Sequence, residues 1–374
     1  MKIVQIGKYY YPYKGGIENH LKILCDNLVE IGENVEVNVF NSGFFSKKDK
    51  IDNVEVYRSG KLFEMFSTPL SPAMIFKLIQ TDGDIIHIHA PNPSAHMALY
   101  FAQFFKKKKA KLVITHHSDI VSQKIAYKFY KPYLEKLYIK ADGIIVATEN
   151  HIEYSDILKN YREKIKVIPY GVDIESFKIT DEIKKRVHKI KKNLGGRKTA
   201  LFIGRLVYYK GVSVLIEAFN KPELKDTNLI IIGNGPYFST LKAQAMENQN
   251  IIFIPEADDI QLKTFLHASD FFILPSVEKS EAFGIVQIEA MACRKPVIST
   301  RLDSGVKAVN IHEKTGMTVE PGNAEELKNA VIKLINDNEK YNLYAENAFS
   351  HVEEKFSSKK TALQILKFYK ELVN

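Results

Sequence analysis

Two glutamates eight positions apart, Glu281 and Glu289, bracket a glycine in Ser280-Glu281-Ala282-Phe283-Gly284-Ile285-Val286-Gln287-Ile288-Glu289-Ala290-Met291. Carboxylates at the two ends of such a segment can each accept hydrogen bonds from a pair of hydroxyls. If much of the span is helical, a rise of about 1.5 Å per residue separates them by roughly 12 Å, the distance from ribose to sugar in a nucleotide sugar. One ligand is then held at both ends. The backbone N–H groups of Phe283, Gly284 and Ile285, at the start of that helix, face the phosphates between. A chance pair of surface glutamates is the alternative, but Glu289 stands inside an apolar run, where an unpaired carboxylate is costly.

Two further segments carry charge or glycine where a phosphate can be held. Phe202-Ile203-Gly204-Arg205-Leu206 is followed by Lys210-Gly211. Arg205 leaves the carboxyl end of an expected strand and Lys210 precedes an expected helix, and such ends converge on the ligand crevice of open α/β sheets. Two fixed cations there neutralise a diphosphate leaving group without a metal. Near the N-terminus, Ile3–Ile6 reads as a strand, and the loop Lys8–Gly16 ends in Gly15-Gly16 before an amphipathic stretch starting at Ile17. Paired glycines at a helix N-terminus let backbone approach a ligand, although the same pattern serves an ordinary turn.

The elements that position these residues follow from an alternation of short β-branched runs with longer amphipathic stretches, the pattern of parallel strands joined by crossover helices. Strands are expected near residues 2–7, 34–40, 54–57, 84–88, 111–115, 143–147 and 165–168, with helices at 17–31, 94–106, 121–140 and 150–159. A second set of strands starts at Thr199 and continues at 228–232, 251–254, 270–274 and 296–299. The restart divides the chain into doubly wound α/β domains over 1–178 and 199–356. A charged linker over 179–198, with some helix of its own, ends in Gly195-Gly196, and a final helix over 357–374 packs back on the first domain.

The 374 residues suit two cores. Only Cys25 and Cys293 are present, which offers no disulfide framework and points to a reducing, cytoplasmic setting. The start of the chain reads as a first strand rather than a secretory signal, and no run reaches the ~18 apolar residues of a membrane span. A net charge of +9 favours anionic partners: nucleotide phosphates, a lipid-linked diphosphate or an acidic membrane surface. No nucleic-acid partner is expected, because no readout motif accompanies the charge. Residues 121–140 mix lysines with Tyr127, Phe129, Tyr130, Tyr133 and Tyr138, either as a peripheral contact with the inner leaflet or as a core-facing aromatic stripe. Lys106–Lys109 reads as a solvated helix end.

Gly15-Gly16-Ile17-Glu18-Asn19-His20, Val167-Ile168-Pro169-Tyr170-Gly171-Val172-Asp173, Gly204-Arg205-Leu206 with Lys210-Gly211, and Ser280-Glu281 through Glu289-Ala290-Met291 together resemble glycosyltransferase family 4. They occur in that family's order and cover most of the chain. The resemblance implies a GT-B fold of two Rossmann-like domains facing a central cleft, and a retaining hexosyltransferase that needs no metal or other cofactor. By the same resemblance Glu281 contacts the donor sugar, Glu289 the ribose, Arg205 and Lys210 the diphosphate, and Gly15 and Gly16 the donor phosphate and acceptor. Thr115-His116-His117-Ser118-Asp119 is similar to the family block with a histidine at the reaction centre. His117 is the better match and His116 the reserve. Thr115 through Val121 also resembles the O-antigen mannosyltransferase branch, which implies GDP-mannose as donor, a UDP-sugar being the alternative, and a glycan or lipid-linked acceptor.

Rival classes lack their signatures. A dehydrogenase needs a dinucleotide fingerprint after the first strand, and Lys8–Gly16 has none. A two-lobed sugar-binding protein carries an export signal. A sugar-nucleotide epimerase shares the fold and stays open. Asp82-Gly83-Asp84 has the form of a metal-binding D-x-D but precedes its strand, so it reads as a turn at the wrong end of the sheet. His87 and His89 could bind a metal with His116 or His117, yet no carboxylate or cysteine completes the set. No metal site is expected.

Overall fold

The computed structural model describes residues 1–13, 15–65, 68–104, 110–119, 124–246 and 248–374, with the side chains of 124–126 and 129 left aside. Lys14, the Lys106–Lys109 run and residues Ile120 and Val121 lie outside the described residues, as do the side chains of Lys124 and Phe129. The chain divides into two compact units, Met1–Val172 with Ser358–Asn374, and Asp173–Ser357.

The strands of the first unit are β1 (Lys2–Ile6), β2 (Asn34–Phe40), β3 (Lys47–Ile51), β4 (Val54–Ser59), β5 (Phe63–Met65), β6 (Thr68–Leu70), β7 (Ile85–Ala90), β8 (Lys111–His116), β9 (Gly143–Val146) and β10 (Ile165–Val167). Among the described residues its sheet has eight strands in the order β10-β9-β8-β7-β1-β2-β4-β3, all parallel except β3, while β5 and β6 form a separate hairpin. The central strands are apolar because both sheet faces are covered: Ile3, Val4 and Ile6 of β1 are fully buried. Strand order turns around between β1 and β7, so the crevice of this unit opens at their carboxyl ends. The helix Gly16–Glu30 packs with the C-terminal helix Ser358–Val373 on one face, sharing a core of Leu21, Leu24, Leu28, Ile365, Leu366 and Tyr369.

The second unit holds β11 (Thr199–Ile203), β12 (Asn228–Ile232), β13 (Ile251–Ile254), β14 (Phe271–Leu274), β15 (Val297–Thr300) and β16 (Gly316–Val319). They form a parallel sheet in the order β13-β12-β11-β14-β15-β16, the doubly wound arrangement whose switch point lies between β11 and β14.

Several elements differ from the sequence expectation, β5 and β6 among them. Residues 179–198, expected as a linker with some helix of its own, contain the helix Asp181–Asn193, which is no free linker but packs on Asp259–Ala268 inside the second unit; the turn after it has Gly195 and Gly196 at φ 67° and 69°. The chain leaves the first unit at Val172. Lysine-rich β3 carries no apolar run yet pairs at the sheet edge, where charged side chains face water and discourage further pairing. The four residues of β16 include a glycine and a threonine, which hid a strand that closes the second sheet. No helix among the described residues is long and apolar enough to cross a membrane.

Candidate active site

At the switch point of the second unit, β11 runs out into Gly204-Arg205-Leu206 and β14 into Pro275-Ser276. The two loops are locked together by glycines. Gly211 has φ 66°, and a Cβ there would lie 2.0 Å from the Pro275 carbonyl oxygen, so no other residue lets the Lys210 turn approach β14 this closely. The Val277 N–H donates to the Tyr209 carbonyl at 2.8 Å across the same junction. Gly233 and Gly235, in the loop after β12, press on the carbonyls of Gly204 and Leu206, and the Leu206 N–H donates to Asn234 O at 2.9 Å.

This packing brings Lys210 Nζ onto the Glu281 carboxylate, which also accepts from Ser276 Oγ at 2.9 Å. Ser276 in turn is held by its own carbonyl, which accepts from Thr300 Oγ1 at 2.6 Å. The Lys210 and Glu281 side chains are nearly buried, 13% and 9% exposed, so the two charges depend on one another. Arg205, earlier on the same loop as Lys210, is exposed, and no hydrogen-bond or ion-pair partner for its guanidinium is found among the described residues. An ion-paired carboxylate with an exposed guanidinium on the adjoining loop suits a ligand that carries both hydroxyls and negative charge.

The helix of the glutamate segment begins later than the sequence suggests, at Ile285, and ends at Ala292. Gly284 caps it with φ 69°, and residues 281–283 are not helical. The helical rise therefore applies only from Ile285 to Glu289, and the ~12 Å estimate for a continuous helix does not hold. Gly284 is required twice over, by its left-handed backbone and by Leu274 Cδ2, which a Cβ would meet at 2.6 Å. Gly284 and Ile285 start the helix, so their N–H groups have no intrahelical partner; Phe283 is buried and its ring meets Phe356. Glu289 is half-buried, with no hydrogen-bond or ion-pair partner for its carboxyl among the described residues. Desolvation, with Asp259 adding to it and Lys263 opposing, pushes that carboxyl up to about 7.

In the first unit Gly15 caps the helix Gly16–Glu30 in extended conformation. The Glu18 carboxylate folds back to within 2.2 Å of where a Gly15 Cβ would stand, so an acidic side chain from the first turn occupies the helix end that the sequence suggested for a phosphate. Burial raises the Glu18 carboxyl, while its own N–H and Lys8 oppose the rise.

His117 is buried, and both ring nitrogens are engaged: Nε2 lies 2.9 Å from His89 Nδ1 and Nδ1 lies 2.7 Å from the Tyr170 hydroxyl. Burial first, then His20, His116, His87 and His151, hold its conjugate acid well below the usual histidine range, so the ring is neutral. His116 faces another set of partners, with Nδ1 at 2.7 Å from Tyr138 OH and Nε2 at 3.3 Å from Asp119. Sequence reading missed Ser276, Tyr170 and the Gly233-Asn234-Gly235 buttress. The glycine pair directly after a strand was the signal available for the last of these.

The discounted metal motifs are employed otherwise. Asp84 accepts the Lys2 N–H at 2.9 Å and Asp82 the Gly83 N–H at 3.0 Å, at the amino ends of β1 and β7. His87 Nε2 and Nδ1 bond Thr115 Oγ1 and Tyr369 OH, each at 2.6 Å.

Comparison with known proteins places the chain in a family and a fold. Residues 14–176 match the family model Glycosyltransferase Family 4, and residues 183–351 match Glycosyl transferases group 1. The O-antigen chain mannosyltransferase C of Escherichia coli is 30% identical over 363 residues, covering 96% of this chain and 95% of that protein. The D-rhamnosyltransferase WbpZ of Pseudomonas aeruginosa is 30% identical over 336 residues, covering 88% and 86%. Among solved structures, Anabaena HepE in complex with UDP and glucose superposes with TM-score 0.80 over 99% of each chain at 22% identity. Sucrose-phosphate synthase from Thermosynechococcus elongatus does so with 0.81 at 20% identity, over 99% of this chain and 98% of that one. At those identities the likeness is one of fold, and the fold is GT-B. By its family models and its relatives, the chain belongs to the group 1, family 4 glycosyltransferases, hexosyltransferases that move a sugar from a nucleotide-sugar donor.

Proposed function

We propose that this enzyme transfers mannose from GDP-mannose to a glycan or lipid-linked saccharide in cell-surface polysaccharide assembly, with retention at the anomeric carbon and without a metal ion. The observation that carries this is the Lys210–Glu281–Ser276 cluster at the β11/β14 switch point, with exposed Arg205 on the same loop as Lys210. Arg205 and Lys210 supply the positive charge that a departing diphosphate needs. Glu281, relieved of full charge by Lys210, binds donor-sugar hydroxyls. Glu289, desolvated and with no partner among the described residues, binds the ribose hydroxyls, and the helix start at Gly284 and Ile285 faces the phosphates between them. As the bond from C1 to the phosphate oxygen breaks, its electron pair leaves with the nucleotide. The acceptor hydroxyl bonds C1 on the same face, and its proton passes to the departing phosphate oxygen. Mannose is chosen because the E. coli relative is named a mannosyltransferase.

Thermal unfolding against GDP-, UDP-, ADP- and dTDP-sugars tests the donor. A ligand at a hundred times its dissociation constant adds about 2.7 kcal/mol, and GDP-mannose is expected to give the largest rise in Tm. Stabilisation by a UDP-sugar alone would replace the donor and leave the reaction class standing.

The same proposal places the enzyme at the cytoplasmic face of an acidic membrane. Lys136 and Lys140, near the end of the helix Lys124–Lys140, lie over the rings of Tyr100, Tyr133 and Phe104, with Phe101, Phe104 and Ile139 exposed. Basic groups over exposed rings suit a headgroup layer. Sedimentation with phosphatidylglycerol vesicles, lost in Lys136→Glu/Lys140→Glu, is the expected result; equal recovery with neutral vesicles contradicts it.

A further inference from the structure

The polar side chains behind His117 form one continuous hydrogen-bonded relay, and its direction can be assigned. Gln5 Nε2 donates to the Tyr369 hydroxyl at 3.2 Å. Having accepted that bond, Tyr369 donates its own proton to His87 Nδ1, and His87 Nε2–H donates to Thr115 Oγ1. On its other side Gln5 Oε1 accepts from His89 Nε2–H at 3.0 Å. A neutral imidazole has one donor and one acceptor, so His89 Nδ1 accepts from His117 Nε2–H, and His117 Nδ1 accepts from the Tyr170 hydroxyl. Every group donates in the same sense from Tyr170 to Thr115, and each proton is used once.

The relay is sealed. Gln5, His87 and His89 are at most 2% exposed. His20, from the helix Gly16–Glu30, sets its ring edge-on to His89 and His117 at centroid distances of 5.9 and 5.6 Å and tilted against Tyr170 at 4.7 Å. The titratable groups around His117 are thus His20, His87, His89, His116, His151 and Tyr170. Burial holds His20 near 4 and His87 near 3, and keeps His89 well below its usual range. His20, His87 and His89 are therefore neutral, and a chain of aligned neutral dipoles in a low-dielectric interior reinforces each of its links.

We infer that Tyr170, His89, Gln5 and Tyr369 are positioning residues for the transfer reaction, fixing His117 as the Nε2–H tautomer and so fixing the backbone that leaves the carboxyl end of β8. This rests on the reading of His117 as a group of the reaction centre. It gives the C-terminal helix a part in catalysis, because Tyr369 reaches Gln5 from 364 positions away. The imidazole has no free nitrogen to act as acid or base while the relay is closed.

The experiment uses the full chain with GDP-mannose as donor probe and methyl α-mannoside as acceptor probe, in wild type, Tyr170→Phe, Tyr369→Phe and His117→Ala. Phenylalanine keeps the rings and removes one O–H. Each tyrosine variant is expected to lose about tenfold in kcat with donor KM unchanged, the size of one lost buried hydrogen bond. Tyr170→Phe removes a donor to the neutral ring, so protonation becomes easier and the acid limb of the pH–kcat profile moves to higher pH. Independently of turnover, histidine-selective ¹⁵N NMR is expected to show His117 as a single Nε2–H tautomer in wild type and averaged in Tyr170→Phe. Should Tyr170→Phe not fold, Tyr369→Phe and the wild-type tautomer decide. A dead His117→Ala beside tyrosine variants with wild-type kcat and pH profile overturns the relay and spares the reading of His117. Full activity in His117→Ala overturns that reading and the relay's function with it, while an Nδ1–H tautomer in wild type overturns the relay alone.

Discussion

The ammonium of Lys210 closes onto the carboxylate of Glu281 across 71 positions of chain, where the strand order of the second unit turns around. Neither charge is well solvated, so each fixes the other. Glu281→Ala is expected to lower kcat about 10²–10³-fold, the range for a preorganised polar contact made in the transition state, while the Kd of free GDP changes little. Steady-state kinetics with calorimetric titration of GDP separates the two. A loss of GDP affinity equal to that of Glu289→Ala would contradict the division of roles.

Glu289 ties nucleotide binding to pH. Its carboxyl sits near 7 in the folded chain, raised by burial above the ordinary value of 4.5. A raised carboxyl contributes stability that is present below about 4.5 and is lost as pH climbs through about 7, because the folded state holds the proton that the unfolded state releases. Ribose hydroxyls donate to the ionised form, so GDP affinity is expected to rise from pH 6 to pH 8. Glu289→Gln should flatten both trends. Calorimetric titration and Tm across this window check it; a slope unchanged in Glu289→Gln assigns the titration elsewhere.

Gly211→Ala tests how Lys210 is placed. The substitution forces a left-handed backbone on a residue with a Cβ, costing about 1–2 kcal/mol, and drives that atom toward the Pro275 carbonyl. A lower Tm and a kcat approaching that of Lys210→Ala are expected. Wild-type kcat at the assay temperature would show that the Lys210 turn tolerates displacement.

Much of this was legible in the sequence because doubly wound folds repeat a simple rule. Runs such as Leu229-Ile230-Ile231-Ile232 mark central strands, and the residues that follow β11 and precede the next helix are placed by topology at the ligand crevice. Arg205 and Lys210 could therefore be proposed for a diphosphate from position, whereas the separate roles of Glu281 and Glu289 came from the family resemblance. Pairings set by tertiary packing were not legible. Nothing in Ser276 marks it as the partner of Glu281, and nothing in Tyr369 marks it as a neighbour of Gln5 and His87. The late start of the glutamate helix depends on Gly284 being left-handed, which a glycine permits but does not announce. The charged stretch 179–198 looked like a linker because one small apolar stripe suffices to dock the helix Asp181–Asn193.

The stereochemistry of transfer tests the assigned roles most directly. Glu281 and Glu289 are assigned to donor hydroxyls, and the His117 ring is neutral with both nitrogens engaged, so no group of the site is assigned as a base to activate an acceptor from the opposite face. The one measurement is NMR of the anomeric coupling in the product formed from GDP-α-mannose in the presence of EDTA. An α-linked product at undiminished rate is predicted. A β-linked product, or turnover abolished by chelation and restored by manganese, would contradict the account.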